Sequence, residues 1–303
     1  MDRFEAMKTL VAVVDHRSLS AAGRSLRVPV TSISRRIADL EAQLGTRLLL
    51  RTTRRLTLTD AGVGYVAAAR RIVGQVEDAE REVAGELQAP KGELLVTAPV
   101  LFGRLHVLPV VSEFLAQFAE INVRLLLQDR NLHLVDDGVD MAVRIGRLPD
   151  STLVATRVGS MRTVVCASPR LIAAHGEPRV AEDLQRFPWV AVDTSMPIAA
   201  WKVPVAPRLT VSTAEAAADA AVRGVGATRL LHYQVAEKVN CGALRIVLED
   251  LEPEPLPIHL VHPDRGYMPL KLRRFIDFAG PQLRALLDQF RSLPPEGRRG
   301  SAR

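Results

Sequence analysis

Apolar residues near the N-terminus fall on helical spacings. Phe4, Met7, Val11 and Val14 recur at steps of three and four and predict a first helix with one apolar stripe. Ser20 is positioned to cap a second helix whose Ala22 and Leu26 face inward one turn apart, and Val28-Pro29 breaks the pattern. A third helix follows, with Ile33, Ile37, Leu40 and Leu44 on its apolar side and Gly45 as its terminator. Its opposite face carries Thr31, Ser32, Ser34, Arg35 and Arg36. Beyond it, Leu48, Leu49 and Leu50 and the alternating Leu56-Thr57-Leu58-Thr59 read as two strands around the turn Arg51-Thr52-Thr53-Arg54-Arg55.

From Thr59 the pattern returns to a single long helix reaching about residue 88, with Thr59 as its cap and Asp60 at its positive end. Some 30 residues span roughly 45 Å. Val66, Val73, Val76, Val83 and Leu87 form an apolar seam flanked by charges. Gly74 and Gly85 each weaken an isolated helix by about 1 kcal/mol, so the seam needs a partner. Two arrangements meet that need, a second copy of the helix or the chain's own body.

After Ala89-Pro90-Lys91-Gly92, a hinge, the character changes. Strand patterns over 93–97, 123–128, 141–145, 153–158, 162–167, 189–192, 244–248 and 258–262 alternate with helical ones over 103–118, 131–138, 169–175, 213–223, 232–239 and 269–292. Alternation of this kind predicts open α/β sheets. The tail 293–303, rich in Pro, Gly and Arg, is expected to be disordered.

Charge sharpens the picture at one end. Between Arg17 and Arg71 there are eleven arginines against three acids (Asp39, Glu41, Asp60), a surplus of eight where the whole chain has a net +6. A basic helix–turn–helix with hydroxyls and arginines at the start of its second member suits the major groove of duplex DNA, and the arginine-rich turn suits a wing lying on phosphates. The competing reading is an ordinary solvated face on a small helical domain. The remaining composition narrows the alternatives. With 303 residues, 48% hydrophobic, two or three domains with real cores are expected. Met1 leads directly into a helix carrying Asp2, Arg3 and Glu5, unlike a secretory leader, and no apolar run approaches the ~20 residues of a membrane span. Cys166 and Cys241 offer no disulfide framework, in keeping with a reducing cytoplasm; Cys166 in a strand reads as a buried structural thiol, with a redox pair as the alternative.

The run S-x-S-A-A-x-x-L-x-V, then S-R-x-I-x-x-L-E-x-x-L-G-x-x-L-L-x-R, then L-T-x-A-G resembles the winged helix-turn-helix of LysR-type transcriptional regulators. It is carried by Ser20, Ala21, Ala22, Leu26, Val28, Ser34, Arg35, Ile37, Leu40, Glu41, Leu44, Gly45, Leu49, Arg51, Leu58, Thr59, Ala61 and Gly62. The chain departs from that pattern at Pro29 and Val30, where the family usually has Ser or Thr followed by Gln, and at Leu50, which replaces a common Phe. A looser resemblance to the family's effector domain rests on Asp140-Met141-Ala142-Val143-Arg144-Ile145-Gly146, Cys166-Ala167-Ser168-Pro169 and Gly224-Val225-Gly226. The resemblance implies an N-terminal winged helix-turn-helix (1–58), a linker and dimerisation helix (59–89), and a two-lobed, periplasmic-binding-protein-like α/β domain (91–292). Lobe one would comprise 91–161 and 264–292 and lobe two 162–263, with crossings near Ser160 and Pro263. It further implies a homodimer, pairing into a tetramer, on an imperfect palindrome of double-stranded DNA, and a small-molecule effector in the cleft between the lobes.

Residues expected at DNA are Thr31, Ser32, Ser34, Arg35, Arg36, Arg51, Arg54 and Arg55. For an effector, the crevice beyond the carboxyl ends of the strands is the expected place. Thr97, Pro99 and the Val100 amide sit there at a helix start, Arg144 lies within an apolar strand, and Thr228 stands at the corresponding point of lobe two. Each has a structural alternative: Arg144 would pair with Asp129 or Asp140, and Thr97 would serve the fold. Oriented amides, a hydroxyl and a guanidinium together favour a small, organic, anionic ligand. The chain has no G-x-S-x-G, H-E-x-x-H or P-loop, and its seven histidines are scattered, so no enzyme, metal or cofactor is expected. A cytoplasmic solute-binding or sequestering protein without a DNA role is the rival reading.

Overall fold

The computed structural model describes residues 2–51, 56–83, 90–148, 152–193, 205–264 and 268–291. The chain divides into two units, 1–92 and 93–303.

In the first unit α1 (Arg3–His16), α2 (Leu19–Leu26) and α3 (Val30–Leu44) precede the antiparallel pair β1 (Leu49–Arg51) and β2 (Leu56–Leu58), and α4 (Asp60–Val83) closes it. The core is Ala6, Leu10, Val13, Ala22, Ile33, Ile37, Leu40, Leu48, Leu49 and Val66. Three expectations are corrected here. The inward stripe of α1 is Ala6, Leu10 and Val13, with Thr9, rather than Phe4, Met7, Val11 and Val14. The unbroken apolar run from Leu10 to Val14 allows more than one phase, and packing chose the smaller residues. Ser18, not Ser20, caps α2, its Oγ accepting the Ala21 N–H at 3.3 Å. Leu44 on α3 is 37% exposed, because Gly45 (φ 66°) turns the chain away before that last turn meets the core.

The start of α4 follows the expected cap: Thr59 Oγ1 accepts the Gly62 N–H at 2.9 Å and donates to the Arg47 carbonyl at 2.7 Å. A Cβ on Gly62 would lie 2.1 Å from the Leu48 carbonyl oxygen, so only glycine permits this approach of helix to strand. Val66, Ala69 and Val73 are buried within the single chain, where α4 packs on α1 and is pinned by Lys8–Glu77 (3.9 Å) and Arg70–Asp15. That part of the seam is therefore covered by the chain's own body, not by a second copy. Leu87, and with it the expected end of the linker helix, lies outside the described residues, as does the tail from 292 onward.

The second unit holds two five-stranded sheets. One is ordered β4-β3-β5-β12-β6, from β3 (Gly92–Ala98), β4 (Ile121–Leu127), β5 (Met141–Ile145), β6 (Leu153–Met161) and β12 (Leu256–Pro263). The other is ordered β11-β7-β10-β8-β9, from β7 (Thr163–Ala167), β8 (Trp189–Val192), β9 (Pro207–Val211), β10 (Ala227–Leu231) and β11 (Arg245–Val247). The chain passes from the first sheet to the second at Met161–Arg162, between β6 and β7. It returns between β11 and β12, not at Pro263: Ile258 and Leu260 of β12 are fully buried in lobe one, antiparallel to both β5 and β6. Arg162 spans the two crossings, held by Glu252 at 2.7 Å and Glu249 at 3.0 Å.

Behind β3 a helical run opens as α5 (Val100–Phe102), widens into a π stretch at Gly103–Val107 and continues as α6 (Leu108–Gln117). Over Val100–Gln117 it is long and apolar enough to cross a membrane by length and composition alone, but its Leu101, Phe102, Val110, Val111 and Phe114 are buried in the lobe-one core. Lobe two carries α7 (Pro169–His175), α8 (Ala214–Val222) and α9 (His232–Asn240), and α10 (Leu270–Arg291) returns to lobe one. The expected helix at 131–138 is a succession of turns instead. Asp137 caps the His133 N–H at 3.0 Å, and Gly138 (φ 67°) ends the segment. β9 and β10 had no counterpart in the sequence reading.

Candidate functional site

The first candidate surface is built around α3. Thr31 and Arg35 are exposed, Ser32 and Ser34 half-buried, and all four keep the outward placement read from the sequence. Arg24, Arg27 and Arg47, on α2, at its C-cap and in the connection to β1, are exposed as well. Arg36 differs. Its Nη1 reaches back to Glu5 Oε2 at 3.1 Å and Thr9 Oγ1 at 3.3 Å, so it ties α3 to α1. The pair β1–β2 forms the expected wing, with Leu49 opposite Leu58 and Arg51 opposite Leu56. Arg54 and Arg55 lie outside the described residues.

Two residues of this unit were not singled out as functional from sequence. Glu41 Oε1 accepts the N–H groups of both Leu48 (2.8 Å) and Leu49 (3.0 Å), which fixes the wing to the end of α3. A glutamate eight residues before a strand carries no signal of such a clamp. Val30, the first residue of α3, stands 41% exposed beside Thr31, and an apolar residue at a helix start had registered only as a departure from the family pattern.

The second candidate is a cavity of about 860 Å³ at the carboxyl ends of β3 and β5, closed by the segment 253–257 leading into β12. Thr97, Pro99 and Arg144 line it; Val100 and Thr228 do not. Several polar groups expected to meet a ligand are already engaged. Thr97 Oγ1 donates to the Leu126 carbonyl at 2.9 Å. The Val100 N–H donates to Asp129 Oδ1 at 3.0 Å, so the protein's own carboxylate occupies the helix start. Thr228 is buried in lobe two with its hydroxyl donating to the Val190 carbonyl at 3.0 Å. Pro99, having no N–H, contributes shape only.

Arg144 fares differently. Neither expected carboxylate pairs with it: Asp129 caps Val100, and Asp140 Oδ2 accepts the Leu95 N–H at 2.9 Å. Its guanidinium donates to the Leu132 carbonyl at 2.7 Å, and burial holds its pKa below the ordinary arginine value. Strand register adds a second cation. His259 of β12 lies opposite Arg144 of β5 on one side and Arg157 of β6 on the other, a transverse row Arg144–His259–Arg157. Residues directly opposite across strands share a face of the sheet. Burial, then the charge of Arg157, lowers the His259 pKa and so disfavours a third positive charge in the row. Arg130 and Arg147 complete four arginines at the cavity wall, against Asp129 and Glu254, and Glu254 is paired with Arg147 at 3.1 Å.

Cys166 lies in the lobe-two core with its thiol pushed up to about 12 by burial, while Cys241 is exposed after α9. A protonated, buried thiol is inert, as the structural reading of Cys166 anticipates.

Residues 4–63 match the bacterial regulatory helix-turn-helix of the lysR family, and residues 87–284 match the LysR substrate binding domain. An HTH-type transcriptional regulator of Xanthomonas campestris is 36% identical over 285 residues, covering 88% of this chain and 82% of the relative. Among solved structures, the LysR-type transcriptional regulator CrgA of Neisseria meningitidis is 28% identical with a TM-score of 0.59, over 92% of this chain and 98% of that one. The full-length virulence activator AphB of Vibrio cholerae is 26% identical with a TM-score of 0.56, over 91% and 98%. A solute-sequestering protein without a DNA role is set aside by these matches. The chain belongs to the LysR family of DNA-binding transcriptional regulators, with a helix-turn-helix unit followed by an effector-binding domain.

Proposed function

We propose that this regulator reads DNA through Thr31, Ser32, Ser34 and Arg35 of α3, with Arg51, Arg54 and Arg55 of the wing on the backbone, and that a small organic anion in the lobe-one cavity alters that binding. Arg36 acts from behind, holding α3 against α1. The regulator works in the cytoplasm as a dimer on an imperfect palindrome, and dimers pair into tetramers. It acts by binding and not as an enzyme. The self-association seam is the face of α4 carrying Ile72, 40% exposed, because the Val66–Val73 face is closed by α1. The boundaries that suit these roles are 1–58 for DNA, 59–89 for the linker, 92–161 with 256–291 for lobe one and 162–255 for lobe two.

One observation carries the ligand class: the Arg144–His259–Arg157 row, in which neither guanidinium has a carboxylate partner among the described residues. The two guanidiniums stand on the strands that flank β12, one on each side of His259. An anion between them is held by charge-assisted bonds, of which the bidentate guanidinium–carboxylate pair is the strongest kind. For the ligand to act on transcription it must favour one lobe arrangement over another.

Calorimetry with a panel of small carboxylates against the full chain tests this. A binder is expected whose affinity falls about tenfold or more in Arg144→Ala and hardly changes in Thr97→Val, whose hydroxyl is engaged with Leu126. Equal affinity in wild type and Arg144→Ala contradicts the assignment.

A further inference from the structure

The start of α3 carries a side chain unlike its neighbours. Thr31, Ser34 and Arg35 can exchange hydrogen bonds with base edges, whereas Val30 offers only methyl groups, and 41% of its surface is exposed. The helix begins there without a side-chain cap, since Pro29 is the N-cap. Val30 is also held in place. It packs over Gly23 of α2, where a Cβ would come within 3.5 Å of Val30 Cγ2 and 2.9 Å of the Val28 carbonyl oxygen. A β-branched residue in a helix has one strongly preferred χ1, so this contact and the helix together leave the valine little freedom.

In helix-turn-helix docking the N-terminal residues of the second helix meet base edges in the major groove. Only one group displayed there is apolar, the C5 methyl of thymine. A rigid, exposed, apolar side chain in that first turn gains nothing from the amino, carbonyl and ring-nitrogen edges of the other bases. We infer that Val30 is a specificity-determining residue that reads the C5 methyl of a thymine in each operator half-site, next to the bases met by Thr31 and Arg35. The inference rests on α3 being the recognition helix, as proposed above.

The test begins by selecting duplexes from a random pool with the full-length protein. Each thymine of one half-site is then replaced singly by deoxyuridine, which removes the methyl and leaves pairing intact. At one position the wild type should lose about fourfold in affinity, the effect of one buried methyl-sized group. Val30→Ala should be insensitive to the same replacement, and Val30→Gln, reselected, should shift that position toward adenine, the base a glutamine pairs with. No deoxyuridine-sensitive thymine in the wild type, or the same fourfold loss in Val30→Ala, overturns the proposal. Should Val30→Ala fail to fold, the wild-type deoxyuridine series and the Val30→Gln reselection decide alone. Arg35→Ala serves as the separating control. If it weakens binding while no thymine is methyl-sensitive, only the role of Val30 falls; if it binds the selected DNA as tightly as wild type, the recognition-helix assignment falls, and this proposal with it.

Discussion

The DNA-facing surface and the effector cavity treat their polar groups in opposite ways. Around α3 the hydroxyls and guanidiniums of Thr31 and Arg35 stand in solvent, and only Arg36 turns inward to Glu5 and Thr9. In and beside the cavity Thr97 is engaged by Leu126, the Val100 amide by Asp129 and the Asp140 carboxylate by the Leu95 N–H, while Thr228 is buried elsewhere against Val190. The difference follows from burial. A polar group on a surface can wait for its partner in water, but one inside a fold must find a partner there or destabilise it. What such a site leaves for a ligand is the donor capacity the fold does not use, here on the guanidiniums of Arg144 and Arg157, which meet backbone carbonyls but no carboxylate among the described residues.

The same contrast can be broken from the structural side. Gly62→Ala places a Cβ against the Leu48 carbonyl, which backbone cannot yield. The 1–92 unit should lose about 3 kcal/mol, the upper end for overpacking, and DNA binding should vanish while ligand binding to the second unit persists. Thermal unfolding with both binding assays checks this; an unaltered melt contradicts the packing described for the wing.

Next in size is a pair of substitutions on α4. Val73→Glu buries a charge under α1 and should destabilise the unit by roughly 2–3 kcal/mol. Ile72→Glu, one residue away on the open side, should leave the melt unchanged but shift sedimentation from dimer to monomer. The reverse pattern would restore Val73 to the dimer seam.

How much of this was legible in the sequence depends on what kind of information each element needed. Helices α2 and α3, the wing and the Thr59 cap were readable because period, turn residues and capping are local. β5, β8 and α7 matched their expected bounds for the same reason. The phase of α1 was not, since residues 10–14 are apolar on every side and only packing on α2, α3 and α4 chooses a face. The return crossing was misplaced at Pro263 because β12 reads as a strand equally well in either sheet; its membership of lobe one depends on pairing with β5 and β6, over a hundred residues away in the case of β5. Among site residues, residue type and position pointed to the right crevice through Thr97 and Arg144. They could not reveal that the Thr97 hydroxyl is engaged while Arg144 has a carbonyl but no carboxylate partner among the described residues, because that is decided by Leu126, Leu132, Asp129 and Leu95 from other strands and loops.

The smallest expected effect concerns pH. His106 lies in an aromatic cluster with Phe102, Tyr233 and Phe290, at centroid distances of 4.9, 5.7 and 5.6 Å, and burial lowers its pKa to about 4 from the ordinary 6.5. The folded state thus disfavours the protonated imidazole, while the unfolded chain takes up a proton below pH 6.5. The stabilisation is fully present above pH 6.5 and declines as the pH falls toward 4. The melting temperature of the second unit should drop over that window, and less steeply in His106→Leu. Parallel profiles would remove His106 from the acid sensitivity.

The central claim is that an open arginine surface holds DNA while a cavity guanidinium with no carboxylate partner among the described residues senses the ligand. Its most direct test measures affinity for one selected operator by the full-length wild type, Arg35→Ala and Arg144→Ala, each with and without the carboxylate identified by calorimetry. Arg35→Ala should weaken operator binding about thirtyfold, the middle of the range for a base-contacting arginine, and still respond to the ligand. Arg144→Ala should bind the operator as the wild type does without ligand and fail to respond when it is added. A ligand response that survives in Arg144→Ala, or operator affinity unchanged in Arg35→Ala, would contradict the account.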